Sequence, residues 1–344
     1  MAQIERRVRV FLQVVVLAGI AVAPLVAQKT ISLVGSGSSV PSPLYATWME
    51  QYAKLNQNVR VTYLLLGASE SIKEIGQGTG DFGGGEIPLN DTQMHAAAHP
   101  LVQFPTVLVA IVPIYKLPSG HELRFSGELL ADIFLGSIKN WKDPAITKLN
   151  PGVELPDLPI TVVHRSSGKG SNYILTDFLS KTSAKWKSKI GKSASPNWPL
   201  GVETNRSEDM VAKVSATPGA IGYVELNYAE RKDLGYGSVR NAAGQFVRAT
   251  PASIAAACAV NEKNIQSDFA ASLTDAAGKE SYPVVSFTRI YVPASGTDPT
   301  RTQALKGFWN WALTDGQATA GSLGYTVLPA GIAAKARETL NSIH

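Results

Sequence analysis

The stretch HRSSGKGSNYI (His164 to Ile174), with GSGSSVPSP (Gly35 to Pro43) and LGASESIKEI (Leu66 to Ile75), decides the fold. Each follows an apolar, β-rich run: Pro159 to Val163, Ile31 to Val34, and Val59 to Leu66. Each also opens an amphipathic pattern, such as Leu44, Tyr45, Trp48, Met49 and Tyr52 after the first. Strand, small-residue turn and helix place free backbone N–H groups and serine hydroxyls at a helix N-terminus, where an anion is favoured. One such turn means little. Three of them, with the permanently cationic Arg165 and a carboxylate, Glu86, in the glycine run DFGGGE (Asp81 to Glu86), suggest a small oxyanion held between lobes.

Between these turns, β-branched runs alternate with helical patterns, as in a largely parallel α/β sheet. PTVLVAIVPIY (Pro105 to Tyr115) and YPVVSFTRIYV (Tyr282 to Val292) are long and apolar enough to cross from one lobe to another. Leu129 to Leu149, Asn172 to Leu179, Leu305 to Leu313 and Ile332 to Leu340 read as helices, and PITVVH and AIGYVEL as strands. A chain that crosses out and returns gives two discontinuous lobes joined by extended hinges. The expected division is residues 28–114 and 285–344 in lobe 1 and 115–284 in lobe 2.

Arg6, Arg7 and Arg9 precede an uncharged apolar run from Val10 to about Val26, which reads as a secretory signal peptide over residues 1–27. A retained transmembrane anchor is the rival reading, but the run is short for a span. No cysteine follows it to carry a lipid, so a periplasmic location is expected. Removing the leader leaves roughly 317 residues, enough for two lobes. The formal charge of +5 is spread without basic blocks interleaved with aromatics, so no nucleic-acid partner is expected. Cys258 is the only cysteine, which excludes an internal disulfide and any cysteine-built metal site. His95 and His99 lie four apart without a third ligand in view, and GKGS lacks the residues of a nucleotide P-loop. Neither a metal nor another cofactor is expected. Ser39, Ser69 and Ser171 have no motif-defined base beside them and read as donors rather than nucleophiles.

VGSGSSVPSPLYATW, DFGGGEIPL, QFPTVLVAIV, LADIFLGSIKNW, KLNPGVELP, HRSSGKGS, NWPLG and PGAIGYVE, collinear from about Leu33 to Leu313, resemble the phosphate-binding proteins of the phosphate-specific ABC transporter, the PstS family. The resemblance implies a type II periplasmic-binding-protein fold: a two-lobed α/β monomer that closes on one dehydrated phosphate and passes it to a membrane permease. Carried over residue by residue, its pocket implies Ser39 and the Val40 N–H in the first turn. Ala68 stands where the family has a serine in the second, with Ser69 adjacent. Glu86 stands for an aspartate, followed by Arg165, Gly170 and Ser171. Lys169 replaces a serine, and Ser167 replaces the aspartate that usually steadies the arginine. Lys169 has two readings: it pairs with Glu86 and weakens the acid's repulsion of fully deprotonated anions, or it points into solvent and offers only its N–H. The sequence also leaves open a binder of another tetrahedral oxyanion or a phosphorylated solute, and more weakly a secreted phosphate-ester hydrolase. The run Glu203 to Asp209 departs from the family with no consequence that the sequence assigns.

Overall fold

The computed structural model describes residues 30–95, 97–118, 121–231, 235–262, 265 and 269–344. The expected leader lies outside the described residues. Among the described residues twelve strands run in chain order: β1 (Ile31–Gly37), β2 (Val59–Leu65), β3 (Phe82–Gly85), β4 (Leu101–Tyr115), β5 (Arg124–Phe125), β6 (Thr161–Arg165), β7 (Val202–Thr204), β8 (Ala220–Glu225), β9 (Gly235–Tyr236), β10 (Ser238–Arg240), β11 (Phe246–Val247) and β12 (Val285–Pro293). Nine of them form one sheet in the order β2-β1-β3-β12-β4-β8-β6-β7, with β9 beside β4, and β11-β10-β5 form a small second sheet.

β4 is the spine. Leu101 to Ala110 run antiparallel to β12, with Thr106 skipped by the register, and Ile111 to Tyr115 pair with β8. The partner changes at one residue: the Ile111 N–H donates to the Val284 carbonyl, and Ile111 itself faces Glu225. One continuous strand thus serves two groups of parallel strands, β2-β1-β3 on one side and β8-β6-β7 on the other. The strand starts four residues earlier than the sequence pattern suggests. Pro105 falls inside it, where the β12 register shifts between Thr288 and Arg289, so the missing N–H coincides with a local irregularity in the ladder. β12 lies against β3 and the first part of β4 and begins beside the switch rather than traversing it.

The expected helix from Leu129 to Leu149 is two helices, Gly127–Phe134 and Pro144–Leu149. Gly136, at φ +72°, turns the chain after the first, and Asp143 caps the second through the Ala145 N–H. The intervening Trp141 is fully buried and donates its indole N–H to the Gly219 carbonyl at 2.9 Å. The apolar periodicity there is that of a packed connection rather than a helix face.

The helix Ser42–Leu55 lays Leu44, Tyr45, Trp48 and Tyr52 on the first group of strands. Trp48 donates to the Gly316 carbonyl at 2.7 Å, and the Tyr45 ring meets Trp48 and Trp309 at 5.6 and 5.4 Å between centroids. No helix among the described residues is long and apolar enough to cross a membrane.

The strand switch is fastened by Tyr282, whose buried hydroxyl donates to the Ile111 carbonyl at 2.9 Å. Tyr282→Phe leaves that carbonyl without this donor and is expected to cost about 1–2 kcal/mol. Equilibrium urea unfolding measures it; an unchanged midpoint would mean the bond does not hold the switch.

Candidate functional site

All three turns stand at strand ends, and each is fastened to its own side of the cleft. In the first, the Ser38 hydroxyl accepts the Val40 N–H at 3.2 Å and the Ser38 N–H donates to Gly84 in β3. The second is tied in at Gly67, whose N–H donates to the Gly37 carbonyl, and at Ser71, whose hydroxyl donates to Ser36 and accepts the Gly84 N–H. In the third, the Arg165 N–H donates to the Tyr223 hydroxyl at 3.0 Å, and that hydroxyl donates to the Asn172 side chain. Asn172 in turn donates to the Ser166 and Ala194 carbonyls. The helix Gly170–Thr182 then starts with its first-turn amides facing the gap.

Several contacts bridge the two sides at these turns. Arg165 Nη2 donates to the Ser39 hydroxyl at 3.2 Å. The Ser69 N–H donates to the Gly168 carbonyl, also at 3.2 Å. The Glu86 carboxyl presses on Gly170 so closely that a Cβ at that position would collide with it. The cleft is closed.

Within it, buried polar atoms lack partners. Arg165 is 1% exposed; its Nη1 donates to Ser207 and its Nη2 to the Asn205 carbonyl, while Nε has no partner. Both Glu86 oxygens and the Ser171 hydroxyl are also unpartnered and buried. Burial pushes the Glu86 carboxyl up to about 8; the nearby Ser38 hydroxyl opposes the shift, Glu225 adds to it, and Arg289 also opposes it. Arg289 holds Glu86 in place by donating to its backbone carbonyl at 2.8 Å. Each orphaned buried group costs about 1–3 kcal/mol, and together they form a set that a compact anion with both acceptor oxygens and a donor would satisfy.

Several sequence expectations change here. The Val40 N–H is already used by Ser38, and the Ser69 N–H by Gly168, so neither faces the gap unengaged. Ala68 is fully buried, close beneath Gly85. Lys169 forms no ion pair with Glu86; its stem lies instead over Gly67, and its N–H donates to Ala194. Neither reading of Lys169 from the sequence describes this placement. Ser39, Glu86, Arg165, Gly170 and Ser171 do come together. His164 stacks on Trp198 with centroids 5.0 Å apart.

The sequence reading missed Ser38, Tyr223 and Glu225, and it left Asn205 and Ser207 without a role. These last two lie in the run Glu203 to Asp209, which forms the cradle of Arg165. Glu225 is 1% exposed with both oxygens unpartnered; burial raises its proton affinity against the opposing pulls of Arg165 and Ser207. Its position closing an apolar strand was the only available signal.

A family profile described as a PBP superfamily domain matches residues 23–316. A phosphate-binding protein PstS from Pasteurella multocida is 39% identical over 300 residues, covering 87% of this chain and 86% of that protein. One from Xylella fastidiosa is 37% identical over 303 residues, covering 88% and 82%. Among solved structures, a high-affinity periplasmic phosphate-binding protein, PfluDING, with bound phosphate superposes with a TM-score of 0.70 at 18% identity, covering 90% of this chain and 93% of its own. A putative phosphate ABC transporter substrate-binding protein from Clostridium perfringens gives 0.63 at 19%, covering 87% and 100%. These structures establish the two-lobed fold.

The raised acid makes stability depend on pH. The folded value of Glu86 lies above the ordinary 4.5, so the fold binds the proton more tightly than the unfolded chain does. The contribution is full below 4.5 and is lost as pH rises toward 8; Glu225 shifts in the same direction. The thermal midpoint of the ligand-free protein should therefore fall across that window, and less steeply in Glu86→Gln. Equal slopes for the two proteins would contradict the burial of this acid.

Proposed function

The chain belongs to the PstS phosphate-binding proteins of the PBP superfamily, and on that footing we propose that it captures inorganic phosphate between its lobes and delivers it to the permease of an ABC importer. Its role is binding, not catalysis. The observation that carries this reading is that Arg165 Nε, Ser171 Oγ and both Glu86 oxygens are buried and unpartnered, on or beside residues that make the cross-cleft contacts Arg165–Ser39 and Glu86–Gly170. Phosphate oxygens would take the guanidinium, the Ser39 and Ser171 hydroxyls and the first amides of the helix Gly170–Thr182. Glu86 would accept the hydrogen bond that only a protonated ligand can give. Above about pH 8, where Glu86 is ionised, sulfate, with no proton, would meet it as like charge.

Lobe 1 would comprise residues 28–114 and 285–344, and lobe 2 residues 115–284. Ser39, Ser69 and Glu86 lie on the first side and Arg165 and Ser171 on the second, so a hinge at the β4 partner switch would open the site. Export through the leader at 1–27 would deliver a monomer to the periplasm, where the permease is the partner and nucleic acid is not.

Two expectations test the assignment. Calorimetry should find phosphate binding reduced far more by Arg165→Ala than by Ser39→Ala, since a charge-assisted bond is roughly twice as strong as a neutral one and a hydroxyl donor contributes about 0.5–1.5 kcal/mol. Comparable losses would sink it. Because Lys169 does not neutralise Glu86, the ratio of sulfate to phosphate dissociation constants should collapse in Glu86→Gln, whose amide can donate to either anion. A ratio unmoved at pH 9, where the acid is ionised, would remove Glu86 from the pocket.

A further inference from the structure

Lys169 is the feature of the cleft that the phosphate shell does not use. It lies between Gly168, whose carbonyl takes the Ser69 N–H, and Gly170, against which Glu86 is pressed. From there the side chain passes over to the other side of the cleft. A Cβ added to Gly67 would stand 3.7 Å from Lys169 Cδ and 3.5 Å from Nζ. The stem thus rests beside Gly67, just before the helix Ala68–Gly76, and this cross-cleft neighbour is its berth.

The charges around this ammonium are unbalanced. Lys169 is half-buried and, among the described residues, forms no ion pair. Burial and then the Arg165 charge lower its proton affinity, and Glu203 on β7 pulls the other way. Its end also lies close to the positive N-terminus of the helix Ala68–Gly76. The closed cleft thus sets two cations and a helix N-terminus near one another. A multiply charged anion would reverse the sign of that interaction.

We propose that Lys169 is an electrostatic latch: it reaches across the closed cleft to Gly67 and holds the lobes together only while a multiply charged anion offsets its own charge and that of Arg165. This rests on the anion-binding reading above. It adds that closure is conditional on ligand charge and that Lys169 governs how slowly the ligand leaves.

The decisive variant is Lys169→Met, which keeps an apolar stem for the Gly67 berth and removes the charge, alongside Lys169→Arg, which restores it. Calorimetry and stopped-flow mixing with inorganic phosphate, sulfate and arsenate at low and high salt would be compared with the wild type. The latch requires a dissociation constant raised roughly tenfold in Lys169→Met at low salt, mostly as faster dissociation, with a weaker salt dependence and recovery in Lys169→Arg. In the absence of anion, Lys169→Met should scatter as the more compact protein. Unchanged affinity and salt dependence, or a change confined to association, would overturn the latch while phosphate binding by the wild type still stood. A wild type that binds arsenate or sulfate but not phosphate would overturn the phosphate reading, and the latch would then be judged on the anion that binds. Binding of none of the three would overturn both.

Discussion

Arg165 is buried to 1% exposure yet makes no ion pair among the described residues, and the closed cleft is arranged around that uncompensated charge. A buried guanidinium is tolerable only if its N–H groups are met. Here neutral oxygens from both sides of the cleft meet some of them, at Ser39, Asn205 and Ser207, and Nε is left over. The nearest acids act at a remove: Glu225 lowers the cost through its field, and Glu86 stands on the far wall against Gly170. A site of this kind is electrically unfinished, and an anion completes it.

The scaffold keeps each half of the shell stiff while leaving the halves separable. Tyr223 in β8 fastens the backbone of Arg165 and the start of the helix Gly170–Thr182 to one half. Ser71 and Ser38 do the same for the first two turns and β3. Contacts between the halves at the site include one guanidinium bond, one backbone bond, the packing of Glu86 on Gly170 and the Lys169 stem beside Gly67. β4 carries both halves, and its change of partner at Ile111 is a natural place for them to pivot.

The turns, the crossing strand and residues that meet where the two sides of the cleft touch could be read from the chain because each depends on local residue order: strand, small residues, helix. What escaped the reading depends on tertiary approach. Leu129 to Leu149 has helical spacing of apolar residues, but Trp141 spends its burial on a connection, which spacing cannot reveal. Asn205 and Ser207 serve Arg165 across some forty positions, and nothing in their own neighbourhood marks them. Lys169 has the length to reach Glu86, yet the bare surface of Gly67 captured its stem. That contact is made across the cleft, which local residue order does not show.

The contact of Glu86 with Gly170 links two positions that lie far apart in the chain. The longer acid occupies the volume in which a side chain at 170 would have to sit, so the glycine cannot be enlarged while the acid keeps its place, whereas the acid can be shortened without hindrance from Gly170. A descendant that gained even an alanine at 170 would have to shorten its acid before or in the same step, or pass through an intermediate with a displaced carboxylate. The constraint therefore runs one way: the length of the acid limits what position 170 can hold, and a change at 170 has to follow or accompany a shortening at 86.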